Sequence, residues 1–408
     1  ATGGTWLKHL DFQGHLPPSP PAGLPSQAMA AFDGPSRIGA TGGTEDVEAG
    51  EDAEQGEDAG ELELVGLVSK PGKAEAKPTE EVASGPDYVA AFKLPTFVLL
   101  WYFFNVQYNI ENKRLLKVFS ATWAVSWFQL FAGIPVAALM WACGCVKLPR
   151  VTRSDLGKLS VVAVAFSVGQ MSTVASLSSV AVSFTHVVKA LEPAVNAVAS
   201  ALILKQVFHP LVYATLAPVF VGVALASSSE LSFTMYGFLT AMASNFAFVI
   251  RNVLATKFGT LGDMGDSKVE RKTNQLAVLT MMATLVSLPV ALLLPNGLLS
   301  CPAAWNAAME QGVSPGQLVY MMVSSGFYFF MYQLSSFWVL SQVSSPVTHS
   351  VLNTLKRVVV IVVSVVVLQN PVTLQAALGT AVAVGGVLLY SLVKRHFSSG
   401  ESGGGGGD

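Results

Sequence analysis

Residues 347–368 read VTHSVLNTLKRVVVIVVSVVVL, and this stretch decides the class of fold. Its length and apolar content are those of a helix that crosses a lipid bilayer, which needs about 20 such residues. Lys356 and Arg357 nevertheless lie at its centre, where a charge is costly and usually faces a cavity or a partner. The stretch therefore predicts both a membrane span and a functional site.

Apolar stretches of this kind recur along the chain. Of its 408 residues, 51% are hydrophobic and 12% are charged, about half the charged share of a soluble domain. An ordinary soluble protein is therefore excluded, and we expect an all-α membrane protein with ten transmembrane helices. The predicted spans are roughly 95–111, 121–142, 159–177, 183–204, 210–227, 232–255, 274–294, 317–342, 347–368 and 373–393.

The cations between these spans are unevenly distributed. With ten spans, the face that carries the N-terminus collects twelve Lys and Arg residues from its loops and flanks, and the opposite face collects three. This asymmetry is typical of membrane proteins and supports an even number of spans. The three cations on the opposite face are Lys113, Arg114 and Lys117.

The two ends of the chain differ from the apolar part. Residues 1–88 hold 16 Asp and Glu against 5 Lys and Arg, and residues 397–408 are rich in Gly and Ser. Such compositions bury too little apolar surface to fold. We predict a disordered acidic tail over 1–88, a ten-helix transporter domain over 89–396 and a disordered tail over 397–408.

Two segments echo each other at an offset of 163 residues: SFTHVVKALEP from Ser183 and PVTHSVLNTLK from Pro346. If the halves 93–230 and 231–396 each hold five spans, the second half enters the membrane from the opposite side. The sequence therefore predicts two inverted five-helix repeats. Such repeats favour a transporter with its site near the membrane midplane, although a channel or a membrane enzyme can also be built by duplication.

Four cations lie inside predicted spans, namely Lys189, Arg251, Lys356 and Arg357. Glu192 is the only acid deep in these helices, and its spacing from Lys189 predicts that the two pair on one helix face. The remaining cations then lack a partner, which is expected if the missing anion is the cargo. Since Arg offers a planar fork to phosphate and Lys a point charge, the cluster suits a phosphate-bearing anion.

The other polar residues in the spans suggest no catalysis. His186, His349 and Glu192 fit structural roles or contacts behind the site. No GxxxxGK[ST] or GxGxxG pattern occurs, the spans contain no HExxH or GxSxG pattern, and the Cys143–Cys145 pair has no further ligands. We therefore expect no enzyme, no cofactor, no metal and no nucleic-acid partner.

Four long segments resemble the plastid phosphate translocators of the drug/metabolite transporter superfamily. They are AVSFTHVVKALEPAVN (181–196), LSFTMYGFLTAMASNFAFVIRNVL (231–254), VSSPVTHSVLNTLKRVVVIVVSVVVLQNP (343–371) and LGTAVAVGGVLLYSLVK (378–394). The resemblance covers residues 93–395. It implies a ten-helix carrier that exchanges inorganic phosphate for phosphorylated small metabolites.

The resemblance also implies roles for single residues. The family's phosphate-coordinating Lys falls on Lys189 and its Lys-Arg pair on Lys356 and Arg357. Its metabolite contacts fall on Arg251, Tyr332, Thr173 and Gln170. In GQMSTVAS, Gln170 stands where triose-phosphate members carry His, and the phosphoenolpyruvate branch also carries an amide there. The segment AFVIRNVL is closer to the sugar-phosphate branches.

We therefore expect an antiporter for phosphate and three-carbon phosphates, namely triose phosphate, 3-phosphoglycerate and phosphoenolpyruvate. The alternatives are a hexose- or pentose-phosphate antiporter of the same family and a nucleotide-sugar transporter. We expect a monomer or homodimer in a plastid membrane, either the inner envelope or, given the acidic tail, an apicoplast or complex-plastid membrane. A Golgi or ER membrane is the alternative location.

Overall fold

The computed structural model describes residues 88–203, 205–258, 262–343 and 346–401. Within these ranges the all-α prediction is confirmed: there are thirteen α-helices, a 3-10 turn at Leu298–Ser300 and no strand. The predicted acidic tail lies outside the described residues. The helices are α1 (Tyr88–Val118), α2 (Thr122–Ala142), α3 (Arg153–Ser179), α4 (Val182–Lys189), α5 (Glu192–Ile203), α6 (Pro210–Ala214), α7 (Ala217–Ser229), α8 (Met235–Phe258), α9 (Lys268–Leu293), α10 (Cys301–Glu310), α11 (Pro315–Gln342), α12 (Pro346–Leu368) and α13 (Leu374–Glu401).

Seven helical segments of the described chain are long and apolar enough to cross a membrane. They are α2, α3, α6 with α7, α8, α9, α12 and α13. Leu139 on α2 and Leu293 on α9 are 62% and 82% exposed, an arrangement that suits contact with lipid rather than water. The other three predicted spans fall on α1, on α4 with α5, and on α11, so the ten-span count stays a prediction.

Polar side chains mark where several helices begin. At the start of α3, the Thr152 hydroxyl accepts a hydrogen bond from the Asp155 amide, and the Asp155 carboxylate accepts one from the Thr152 amide. This reciprocal cap satisfies two amides that a helix start leaves free. At the other end of the chain, α13 continues to Glu401, so residues 397–401 are helical where a tail was predicted. The reason is that residues 394–399 contain no Gly or Pro to end the helix.

Small residues bring α7 and α13 into close antiparallel contact. A Cβ atom added to Gly222 would lie 2.3 Å from the backbone nitrogen of Ala383, and one added to Gly379 would lie 2.5 Å from that of Ala226. Small residues that let two backbones approach are the usual way in which membrane helices pack. Gly385, which the sequence repeat aligns with Gly222, faces open space instead.

The loop between α2 and α3 is tied to the loop between α8 and α9 at one end of the bundle. Lys147 forms an ion pair with Asp266, and the Arg150 amide donates a 2.9 Å hydrogen bond to the Asp263 carbonyl oxygen. The hydrogen bond with Asp266 raises the pKa of Lys147, and the same bond lowers the pKa of Asp266. Because both side chains are exposed, the pair itself adds little stability.

Five longer helices and the broken pair α4–α5 enclose the centre of the bundle. Helix α1 packs along α11, and α3 packs along α8. Helix α12 lies against α1 and α4, and α5 lies against α8. The polar faces of α1, α3, α8, α11 and α12 therefore turn inward, which positions the site described next.

Candidate functional site

A cavity of about 140 Å³ lies between these helices. Nine of the ten side chains singled out in the sequence line it, and they come from both halves of the chain. Four of the lining residues are cations, and Glu192 is the only carboxylate among the described residues that line it. A surplus of positive charge therefore faces an enclosed space, where an anion would be held strongly.

Two of the cations make close contacts only with neutral groups of the described chain. Lys189 donates a 3.1 Å hydrogen bond from Nζ to the hydroxyl of Thr173, and its Nζ lies 4.8 Å from the ring centre of Phe248. Lys356 Nζ lies 4.5 Å from the ring centre of Trp101. Aromatic faces attract a cation without cancelling its charge. Both ammonium groups therefore remain available to an anionic ligand.

Arg357 has a charged partner, which corrects the sequence-based expectation. Its guanidinium donates to the carboxylate of Glu192, and the two side chains are only 8% and 17% exposed. No ion pair joins Lys189 to Glu192, so that predicted pairing is wrong. The acid on α5 instead neutralises a cation on α12.

The physical reason is a break in the helix between Lys189 and Glu192. Pro193 has no N–H, so the carbonyl of Lys189 loses the partner that a continuous helix would supply four residues later. The i,i+3 argument that placed the two side chains on one face assumes a continuous helix. At the break the carbonyl of Val188 accepts a 3.1 Å hydrogen bond from the Leu191 amide, and Asn245 of α8 donates a second one at 3.0 Å.

Arg251 lies against aromatic rings at one side of the cavity. Its guanidinium carbon is 5.4 Å from the ring centre of Phe166 and 5.2 Å from that of Phe248. Its Nη2 also donates a 2.8 Å hydrogen bond to the side-chain oxygen of Asn252. These contacts hold the planar group in place and leave it without an ion pair in the described chain.

Tyr332 and Gln170 have different places. Tyr332 lines the cavity, and its ring centre lies 5.1 Å from that of Tyr108. Gln170 is 1% exposed and does not line the cavity. Its Nε2 donates 2.9 Å hydrogen bonds to the Tyr108 hydroxyl and to Gln129 Oε1. In this structure Gln170 therefore lies behind Tyr108, and its direct contact with a metabolite stays a prediction.

The two histidines line the cavity from different halves of the chain. His186 Nε2 lies 3.0 Å from Asn109 Oδ1, and the ring of His349 stacks on Trp101 with 5.2 Å between ring centres. His186 Nδ1 and His349 Nε2 are buried and have no hydrogen-bond partner within the described part of the chain. Each ring therefore keeps one nitrogen free beside the cavity.

Helix α1 contributes a face that the sequence reasoning did not single out. Trp101, Asn105, Tyr108 and Asn109 all line the cavity. The signal is present in the sequence, because Asn105 and Asn109 stand one helical turn apart within the predicted span 95–111. Among the described residues, no group of three or more His, Cys, Asp or Glu side chains is placed to hold a metal ion.

The geometry agrees with a match to a known family. The profile of the Triose-phosphate Transporter family matches residues 92–391. The chain belongs to this family. It is therefore a transporter, and the resemblance noted from its segments is confirmed.

Curated relatives of the family align with most of this chain. A protein of Oryza sativa subsp. japonica named phosphoenolpyruvate/phosphate translocator 3, chloroplastic, is 41% identical over 303 residues, 74% of this chain and 75% of the relative. A triose phosphate/phosphate translocator of non-green plastids from Brassica oleracea var. botrytis is 38% identical and covers 79% of this chain and 78% of its own length. Glucose-6-phosphate/phosphate translocator 1 of Arabidopsis thaliana is 36% identical over 78% of this chain and 82% of its own length.

These relatives are chloroplast proteins, and the described chain holds seven helices that can cross a membrane. The chain is therefore an integral membrane protein of a plastid. The relatives' names differ in the metabolite that they give, so family membership alone leaves the substrate of this chain to be argued from the cavity.

Proposed function

We propose that the protein exchanges inorganic phosphate for phosphorylated three-carbon metabolites across a plastid membrane. The observation that carries this proposal is the charge of the central cavity, where four cations and one carboxylate line about 140 Å³. Burying such an excess of cations costs several kcal/mol per ion unless an anion accompanies them. A substrate with a phosphate group supplies that anion.

Lys189, Lys356 and Arg357 are the residues that we assign to the phosphate group. Arg357 presents a planar fork that matches phosphate oxygens in pairs, and the two lysines add point charges. The lysines contact only a hydroxyl and aromatic rings, so a phosphate displaces no strong bond from them. When phosphate is bound, the guanidinium of Arg357 donates hydrogen bonds to the phosphate as well as to the Glu192 carboxylate.

Arg251, Tyr332 and Thr173 are assigned to the rest of the metabolite. Arg251 is a guanidinium at the edge of the cavity, where its Nε and Nη2 atoms donate to the Asn252 side chain. No carboxylate of the described chain forms an ion pair with it, so its charge is available to a second anion. Phosphoenolpyruvate and 3-phosphoglycerate carry a carboxylate in addition to the phosphate, and a guanidinium binds a carboxylate well. Gln170 acts through Tyr108, whose ring lies against Tyr332.

The size of the cavity favours small substrates. A volume of 140 Å³ holds about ten waters when each occupies roughly 10–15 Å³. A three-carbon phosphate has a comparable number of non-hydrogen atoms, and a hexose phosphate has distinctly more. The cavity as described therefore fits the shorter metabolites better.

The helix packing supports ten spans arranged as two inverted repeats. In such repeats, helices at the same position in the two halves correspond: α1 to α8, α3 to α11, and the α4–α5 pair to α12. Under this correspondence the contact of α1 with α11 becomes the contact of α8 with α3, and both occur. The contact of α1 with α12 becomes that of α8 with α4 and α5, and both of these occur as well. Repeats of this kind move against each other around a central site.

The three predicted spans that are less apolar are α1, the broken α4–α5 pair and α11. Each of them contributes polar residues to the cavity, such as Asn105, Lys189 and Tyr332. Polar side chains that face a cavity lower the average hydropathy of a helix without preventing it from crossing a membrane. We therefore assign these three segments to the membrane with the other seven.

Strict exchange follows from the same charges. When both ends of the carrier close around an empty cavity, the cations are buried without a full set of counter-ions, which is unfavourable. A bound phosphate removes that penalty, so the loaded carrier changes conformation more readily than the empty one. Influx of one anion then depends on efflux of another.

The test is an exchange assay in liposomes that contain the purified protein and internal phosphate. Parallel samples receive external triose phosphate, 3-phosphoglycerate, phosphoenolpyruvate, glucose 6-phosphate or a nucleotide sugar. We expect exchange with the first three, and none when the trans side holds no anion. Flux that continues without a trans substrate would identify a channel instead.

A hexose-phosphate antiporter is the second candidate, because one relative carries glucose 6-phosphate in its name and aligns over 78% of this chain. In the same assay, faster exchange of glucose 6-phosphate than of any three-carbon phosphate would favour this candidate. Exchange of the nucleotide sugar alone would contradict both.

A further inference from the structure

A second, smaller cavity adjoins the central one. Arg251 and Asn252 line both cavities, so these two side chains form the boundary between them. The smaller cavity has a volume of about 30 Å³ and lies near the beginnings of α3 and α9 and the ends of α8 and α11. These helix ends carry the two loops that the Lys147–Asp266 pair ties together. The smaller cavity therefore lies between the central cavity and this end of the bundle.

The lining of the smaller cavity is mostly apolar, but two polar side chains on α9 have no partner in the described chain. Lys272 is part-buried and forms no hydrogen bond or ion pair, and no carboxylate lines the cavity with it. Gln275 is 9% exposed, and its Oε1 atom is buried without a hydrogen bond. A buried polar group without a partner is rare and calls for an explanation.

The charge and the polar groups together fit one class of ligand. Two cations, Lys272 and Arg251, line the smaller cavity, and the amide nitrogen of Gln275 offers hydrogen-bond donors. Inorganic phosphate at neutral pH carries a P–OH group, which donates to the unpartnered Oε1 of Gln275. A volume of 30 Å³ holds roughly two or three waters. By the measure used for the central cavity, the five non-hydrogen atoms of a phosphate need about twice this space, so the lining side chains move apart when a phosphate enters. A whole metabolite is too large for it.

We propose that this smaller cavity is a second binding subsite for a phosphate group, used as the substrate passes between the central cavity and the end of the bundle where α9 begins. Lys272 and Gln275 hold the phosphate there, and Arg251 transfers it, because its guanidinium borders both cavities and is held only by rings and an amide. This inference rests on the proposed phosphate exchange and adds a second binding position to the path of the substrate.

A phosphate group can come from free phosphate or from a lipid headgroup, since Lys272 lies near an end of the bundle. The test uses the full chain in detergent with Cys143, Cys145 and Cys301 replaced by Ser and with Leu340→Cys as a reporter in the smaller cavity. The rate of alkylation of the reporter is measured with inorganic phosphate, with phosphatidic acid micelles and with neither. The reporter protein must first retain phosphate exchange in liposomes.

We expect inorganic phosphate to slow alkylation several-fold, also in a Lys356→Met background in which the central site is impaired. Lys272→Met should abolish this protection. Lys268→Met, an exposed lysine one turn earlier on the same helix, is the matched control and should leave the protection intact.

Four results overturn the subsite: no protection by phosphate, protection that disappears with Lys356→Met, protection by phosphatidic acid alone, or equal loss in the Lys268→Met control. The exchange assay separates this from the proposed function. If phosphate exchange proceeds normally while the reporter is unprotected, the second subsite is wrong and the carrier assignment stands. If the protein exchanges no phosphate at all, the proposed function itself fails.

Discussion

The guanidinium of Arg357 pairs with the carboxylate of Glu192, 165 positions earlier in the chain. This contact joins the middle of α12 to the first turn of α5, so it ties the two halves together at the central cavity. Glu192 neutralises one of the four cations there while no substrate is bound. A phosphate that enters the cavity competes with Glu192 for the same guanidinium.

Replacing Glu192 by Gln should destabilise the empty carrier, because Arg357 is then buried without its counter-ion. Loss of one partner from a buried ion pair costs about 3–5 kcal/mol. Phosphate should restore more thermal stability to the variant than to the parent, as measured by thermal unfolding in detergent with and without phosphate. Glu111→Gln, which breaks the more exposed pair with Arg114 at the end of α1, is the control and should change stability by about 1 kcal/mol or less. Equal behaviour of the two variants would contradict the role of Glu192.

Lys356→Met should reduce phosphate exchange at low phosphate at least tenfold, since a charged hydrogen bond contributes about 1.5–3 kcal/mol. The measurement is the initial rate of exchange per folded carrier in liposomes. Lys394→Met is the matched control, because Lys394 Nζ also lies 4.5 Å from an aromatic ring centre, that of Phe208, and yet Lys394 does not line the central cavity. Exchange at the parent rate in Lys356→Met would remove Lys356 from the phosphate site.

Pro193→Ala should allow the helix to continue from α4 into α5, because residue 193 then has an N–H for the carbonyl of Lys189. We expect a carrier that is no less stable than the parent and exchanges phosphate much more slowly, since Lys189 and Glu192 are turned from their present directions. Pro218→Ala, at the start of α7 and away from the cavity, is the control and should retain exchange. Thermal unfolding and exchange are both measured, so that misfolding is recognised.

Tyr108→Phe and Gln170→Leu should each weaken substrate binding, and the double variant should be little worse than either alone. The reason is that Gln170 acts by donating to the Tyr108 hydroxyl. Residues in one hydrogen-bond network couple by about 0.5–3 kcal/mol. The parent, the two single variants and the double variant are compared by the phosphate concentration that gives half-maximal exchange. Additive effects would mean that Gln170 acts by another route, and Ser287→Ala with Gln170→Leu supplies an independent pair for comparison.

Gly222→Ala should destabilise the protein by about 1–3 kcal/mol or more, because the added Cβ overlaps the backbone of Ala383. Gly385→Ala is the matched control, since an added Cβ there meets nothing within 4 Å. The fraction of protein that stays folded after heating in detergent distinguishes the two. If Gly385→Ala is the more harmful change, the contact between α7 and α13 is not the one described.

Much of the site could be predicted from local sequence. A cation in a long apolar stretch is informative by itself, which is why Lys189, Arg251, Lys356 and Arg357 were found before any contact was known. The partner of each cation depends on distant residues and was not predictable. Lys189 and Glu192 are three positions apart, but the break at Pro193 separates them, and Glu192 reaches Arg357 instead.

By itself the sequence determined the helical, membrane-spanning character and the surplus of buried cations, because hydropathy and charge are properties of each segment alone. The tertiary structure decided which cations share a cavity, that Gln170 stands behind Tyr108, that α1 supplies part of the lining, and that Lys272 and Gln275 border a second cavity. These are contacts between segments far apart in the chain. They depend on how the helices pack and where they break, and no single segment contains that information.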